Sequence, residues 1–151
     1  MKKVIVLGMS VVLLWSCNNS TEKSTAHQET ENHAEHHHDE NSESIELNNG
    51  EKWLVNEEMK PFVLKGEELV NTYIQDGKTD YKTLAEQLKE QNSLLIKSCT
   101  MEGKSHDELH KWLHPHLELV EELEQAKNED ESVQIVQKLK HSYQQYHSYF
   151  Q

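Results

Sequence analysis

A chain of 151 residues, 34% of them hydrophobic, holds material for one small folded domain. Its formal charge of −12 excludes unaided recognition of nucleic acid or of anionic lipid head groups, both of which need a basic face. Only two Pro and five Gly occur, a composition that suits helices.

The chain opens on the basic segment Met1-Lys2-Lys3, followed by the apolar run Val4 to Trp15. At 12 residues this run is shorter than the roughly 20 that span a bilayer. A basic start, a short apolar stretch and a small residue before a cleavage point describe a secretory signal peptide over residues 1–16. The run ends Leu14-Trp15-Ser16-Cys17, which resembles the lipobox of bacterial lipoproteins. The resemblance implies removal of residues 1–16, attachment of acyl chains such as palmitate to Cys17, and a membrane anchor in the cell envelope. Asn18 is not the Asp that such proteins use for inner-membrane retention, so the resemblance points to the outer membrane, facing the periplasm. With Cys17 taken by lipid, Cys99 is a lone thiol in a disulfide-forming compartment.

Residues 17–50 show no apolar periodicity and are rich in Asn, Ser, Thr, Glu and His, with Lys23 the single base. Such a segment buries too little surface to offset its ordering entropy and reads as a disordered tether. His27, His33, His36, His37 and His38 lie among carboxylates there and suit a weak metal antenna; the same tract also reads as a solvated spacer.

Residues 51–151 change character: apolar residues recur at three- and four-residue steps, the helical signal. A first helix is expected from about Trp53 to Gln75, with Val55, Met59, Phe62, Gly66, Leu69 and Tyr73 on one stripe and Pro61 as a kink. A second starts near Asp80 and carries Leu84, Leu88, Asn92, Leu95 and Cys99. A third opens on Ser105-His106-Asp107-Glu108, a capping-box pattern, and continues through His106, His110 or Leu109, Leu113, Leu117, Val120 and Leu123, with Pro115 inside it. A fourth starts near Asn128 and carries Val136, Leu139, Tyr143, His147 and Phe150. Four amphipathic segments with short connections predict an all-α, antiparallel up-down-up-down four-helix bundle after the tether.

That topology places the start of the first helix, the end of the second, the start of the third and the end of the fourth at one pole. The pole holds Met59, Cys99, Met101, His106, His110 and His147. Thioether, thiolate and imidazole suit copper(I) and zinc, and His106 and His110, four apart, share a helical face. Cys99, Met101, His106 and His110 are therefore the expected metal ligands. A buried thiol, a loop methionine and two surface histidines would have the same spacing. No Cys-x-x-Cys-His, zinc-peptidase pair, phosphate loop or nucleophile elbow occurs, and nothing in the sequence calls for turnover, so binding rather than an enzyme is expected.

Two stretches, Asn56-Glu57-Glu58-Met59 and Leu139 to Tyr149 with its Tyr146-His147 pair, resemble the small soluble b-type cytochromes of the periplasm, which are four-helix bundles. The resemblance implies Met59 and His147 as axial ligands of haem b in an electron carrier. Three functions remain open on sequence grounds. The first is an envelope lipoprotein that sequesters or delivers copper or zinc, the second is the haem carrier, and the third is a cofactor-free lipoprotein that binds an envelope protein partner.

Overall fold

The computed structural model of the chain describes residues 44–151. The expected signal peptide, the lipidation site Cys17 and the antenna histidines His27, His33, His36, His37 and His38 lie outside the described residues. Four helices follow in order: α1 (Lys60–Gln75), α2 (Tyr81–Ser98), α3 (Gly103–Gln125) and α4 (Glu129–Tyr149). Each packs on its neighbour in the chain, and α1 closes the ring against α4, which makes the domain the predicted four-helix bundle. Two isolated β-bridges are the only strand-like pairings among the described residues. No helix among them is long and apolar enough to cross a membrane.

The helix starts follow local chemistry. Asp80 caps α2, accepting the Thr83 N–H at 3.1 Å and the Thr83 hydroxyl at 2.8 Å. Asn128 caps α4 by accepting the Glu131 N–H at 2.9 Å, and the Glu131 carboxylate accepts the Lys127 N–H, also at 2.9 Å. Glu129, Asp130 and Glu131 fill the first turn, where the helix dipole favours negative charge. α3 departs from expectation. It begins at Gly103, whose φ of +62° suits a residue without a side chain, and Ser105 does not cap it; the Ser105 hydroxyl donates back to the Glu102 carbonyl. α3 then runs unbroken through the exposed Pro115.

α1 is shorter than its stripe suggested. It starts at Lys60, with Pro61 in the first turn, where a missing N–H breaks no helical bond. The residues before it are extended: Trp53 and Val55 turn inward while Leu54 stays exposed, the period of two of a strand. The Trp53 N–H donates to the Tyr149 carbonyl, the Gln151 N–H to Trp53 and the Val55 N–H to Gln151, at 2.8, 2.9 and 3.1 Å. This strap laces the approach to α1 against the end of α4.

Ser44 to Glu46, assigned by composition to the tether, also pack on the bundle. Ile45 is buried, and the Glu46 N–H donates to the Glu108 carboxylate at 2.8 Å. The Trp53 indole N–H donates to the Glu46 carbonyl at 2.6 Å. Lys111 reaches the other Glu108 oxygen at 3.0 Å and the Ser44 carbonyl at 3.4 Å. Burial works against a charge on Glu108, but the Glu46 N–H and the Lys111 ammonium outweigh it and hold the carboxyl below its ordinary value. Glu108→Ala takes the acceptor from the Glu46 N–H and should cost about 2 kcal/mol. Urea unfolding reads the loss and hydrogen exchange at Glu46 reads its location; an unchanged exchange rate there would show that Glu108 does not hold the strap.

A polar level of the interior is built around His116. His116 is fully buried on α3, 3.0 Å from the Ser142 hydroxyl through Nδ1, and its ring stacks on Trp112 and meets Tyr143 edge-on. The Trp112 indole N–H donates to the Ser142 carbonyl at 2.9 Å. Across this level Gly66 of α1 faces the Tyr143 hydroxyl, so close that a β-carbon at position 66 would collide with it.

Candidate functional site

The expected ligands fall into three groups around the shared pole. The α2–α3 loop carries Cys99 and Met101, both partly buried against the hydrophobic core. Asn56, on the strap, grips this loop on both sides of the cysteine. Its Nδ2 donates to the Ser98 carbonyl at 2.9 Å, and its Oδ1 accepts the Thr100 N–H at 3.1 Å. One amide thereby fixes the peptides flanking Cys99. Met59, three residues further along, is fully buried.

The second group is a ladder of imidazoles on α3. His106 Nε2 lies 3.1 Å from His110 Nε2, and His110 Nδ1 lies 2.8 Å from His114 Nε2. The rings meet edge to face with centroids 4.4 and 4.8 Å apart. Spacing by four residues stacks them along one flank of the helix. His106 and His110 are half-buried and His114 is exposed. The core stripe of α3 instead passes through Leu109, Trp112, Leu113, His116, Val120 and Leu123, which corrects the placement of His106 and His110 on it. By helical repeat the ladder shares its flank with Leu117 and Glu121, which line a groove with Asn92 and Ile96 of α2. It therefore sits on the side of α3 toward the helix that leads into Cys99, and the Glu108–Lys111 strap contacts occupy the other side.

Burial, then the neighbouring His106 and His114, hold His110 below the ordinary imidazole range. A neutral imidazole has one lone pair free for a metal, so this shift leaves His110 ready as a ligand. Each ring nitrogen of His110 faces a different neighbour, so an ion between His106 and His110 meets two imidazoles from the ladder. Among the described residues no three His, Cys, Asp or Glu side chains converge on one point.

The third group is the haem pair of the cytochrome resemblance, and its members differ in setting. Met59 lies in the packed core. His147 sits on the flank of α4, with its Nε2 2.8 Å from a Glu67 carboxylate oxygen, because Tyr146 takes the inward position of that turn. The cavity beside His147 holds ≈ 110 Å³, against about 300–1,000 Å³ for small-molecule sites.

His114 and His116 were not singled out from sequence, and Asn56 and Glu108 were read only as members of local motifs, the cytochrome-like stretch and the capping box. His114 continues the four-residue spacing of His106 and His110 and was legible on that ground. His116 stands three after Leu113 and four before Val120, on the apolar stripe itself. Asn56 and Glu108 act across long sequence separations that no local pattern reveals. No family model, curated protein or solved structure matches the chain.

Proposed function

We propose that the chain is a cell-envelope lipoprotein, anchored through lipid on Cys17, that binds copper or zinc at this pole for sequestration or delivery. The observation that carries the reading is the His106–His110 pair. Its two Nε2 atoms are 3.1 Å apart, close to the roughly 3.3 Å that separates two imidazole nitrogens around a tetrahedral zinc. Cys99 and Met101 supply the softer donors that copper(I) prefers, on a loop that the Asn56 amide holds in place. Cys99 is a free thiol and half-buried, so it remains open to a metal. The His-rich tract would raise the local concentration of metal by tethering. The chemistry is capture and release, without turnover.

The test is a competition titration of the full chain with copper(I) and with zinc against a chromophoric chelator. His106→Ala and Cys99→Ser are each expected to weaken the tight site at least tenfold, about 1.4 kcal/mol. Metal should also shield Cys99 from alkylation, because the bound form is the thiolate. Tight-site affinity unchanged in both variants overturns the reading.

A further inference from the structure

We propose that His114 is a positioning residue for this site: it accepts the Nδ1 proton of His110 and so leaves the His110 Nε2 lone pair free to share a metal ion with His106. The inference rests on the metal reading above and adds to it a residue and a direction of proton placement.

The argument is one of proton count. Each short nitrogen–nitrogen contact in the ladder needs one proton between its members. A neutral His110 carries one proton and makes two such contacts, at 3.1 Å to His106 and 2.8 Å to His114. Two arrangements satisfy the metal-free ladder. In one, His114 donates to His110 and His110 donates to His106. In the other, His106 donates to His110 and His110 donates to His114. A metal between the two Nε2 atoms removes the proton from the first contact. The proton of His110 must then sit on Nδ1, and His114 Nε2, 2.8 Å away, is placed to accept it. Each of the three neutral rings then carries its single proton on Nδ1, so the change is tautomeric and no proton is lost to solvent.

The metal goes to the His106 side for two reasons. That contact joins two Nε2 atoms at nearly the spacing of paired ligands, and it is nearer in the chain to Cys99 and Met101. The 2.8 Å contact to exposed His114 has the length of a hydrogen bond. An acceptor on the outer nitrogen fixes the ring and makes its inner nitrogen a better donor to the metal, an effect that typically carries ten- to a hundredfold in affinity.

Zinc, which is diamagnetic, is the probe, added to the full chain in competition with a chelator. His114→Ala is expected to weaken the tight site by roughly ten- to a hundredfold, and His114→Gln, whose amide oxygen can accept the same proton, to recover most of that loss. In the zinc-loaded wild type, nitrogen-15 spectra should show His110 protonated at Nδ1 and metal-bound at Nε2. A His114→Ala chain that binds zinc as tightly as wild type overturns the assignment, as does a His110 metallated through Nδ1. Wild-type protein without a tight zinc site that depends on His106 overturns the metal reading itself, and this assignment with it.

Discussion

Acidification from pH 7 toward pH 4 is expected to remove about 3 kcal/mol of stability through His116 alone. The side chain is fully buried, and that burial lowers its pKa from the ordinary 6.5 to about 4. In the unfolded chain the same imidazole protonates near 6.5, so between these values the unfolded state holds the extra proton. The stabilisation is therefore fully present above pH 6.5 and is lost progressively as pH falls through the folded value. Among the described residues no carboxylate compensates: the ring faces Trp112 on its own helix and Ser142 and Tyr143 on α4. Carboxyls with lowered values, Glu108 among them, add their own losses at the acid end of the range. His116→Gln isolates the effect, because it keeps a polar partner for Ser142 and does not titrate. Urea unfolding at pH 7, 6 and 5 should show the wild type losing stability faster than the variant. Parallel pH profiles would mean that His116 does not govern the decline.

Gly66→Ala is the second large effect, and its sign runs against helix propensity. In an exposed helix the change gains about 1 kcal/mol. Here the new β-carbon collides with the Tyr143 hydroxyl and lies 3.1 Å from the ring carbon that bears it. Tyr143 is buried between α1 and α4 and packs against His116 and Trp112, so it has little room to give way. Overpacking of this kind costs about 1–3 kcal/mol, enough to exceed the propensity gain. The hydroxyl is the first atom met, so removing it should relieve most of the strain. Gly66→Ala in a Tyr143→Phe background should be clearly less harmful than in the wild type, a coupling that a double-mutant cycle measures. Additive effects would place the strain elsewhere.

The helices were legible wherever local chemistry and burial agree. Asp80 and Asn128 are true caps, and α2 and α4 begin where those residues predict. The start of α1 was misread because Trp53 and Val55 are apolar and fall near a helical stripe, although their own alternation with exposed Leu54 is that of a strand. Ser105 offered a capping pattern that α3 does not use, because the chain turns earlier at Gly103. At the candidate site, spacing found the His106–His110 pair but stopped one rung short of His114. The Asn56 grip and the Glu108 anchor were hidden for a different reason. Each joins segments remote in sequence, and an amide or carboxylate in a polar stretch reads as solvent-facing until its distant partner is known. His147 was placed inward because the stripe admits either it or Tyr146, and the larger, less polar ring took the buried position.

The lacing of Trp53 and Val55 onto the last turn of α4 has a consequence for how the molecule assembles and opens. Contacts between chain-adjacent helices close short loops, whereas this pairing joins the two ends of the described domain and carries the largest closure entropy. It is expected to form late in folding, once the four helices have docked. A helix terminus ordinarily frays on its own, with its amides exchanging at little cost. The end of α4 is instead held by a segment that is itself anchored through Glu108, so the amides of Trp53, Val55 and Gln151 should exchange together, at a rate that reports cooperative opening of the whole pole.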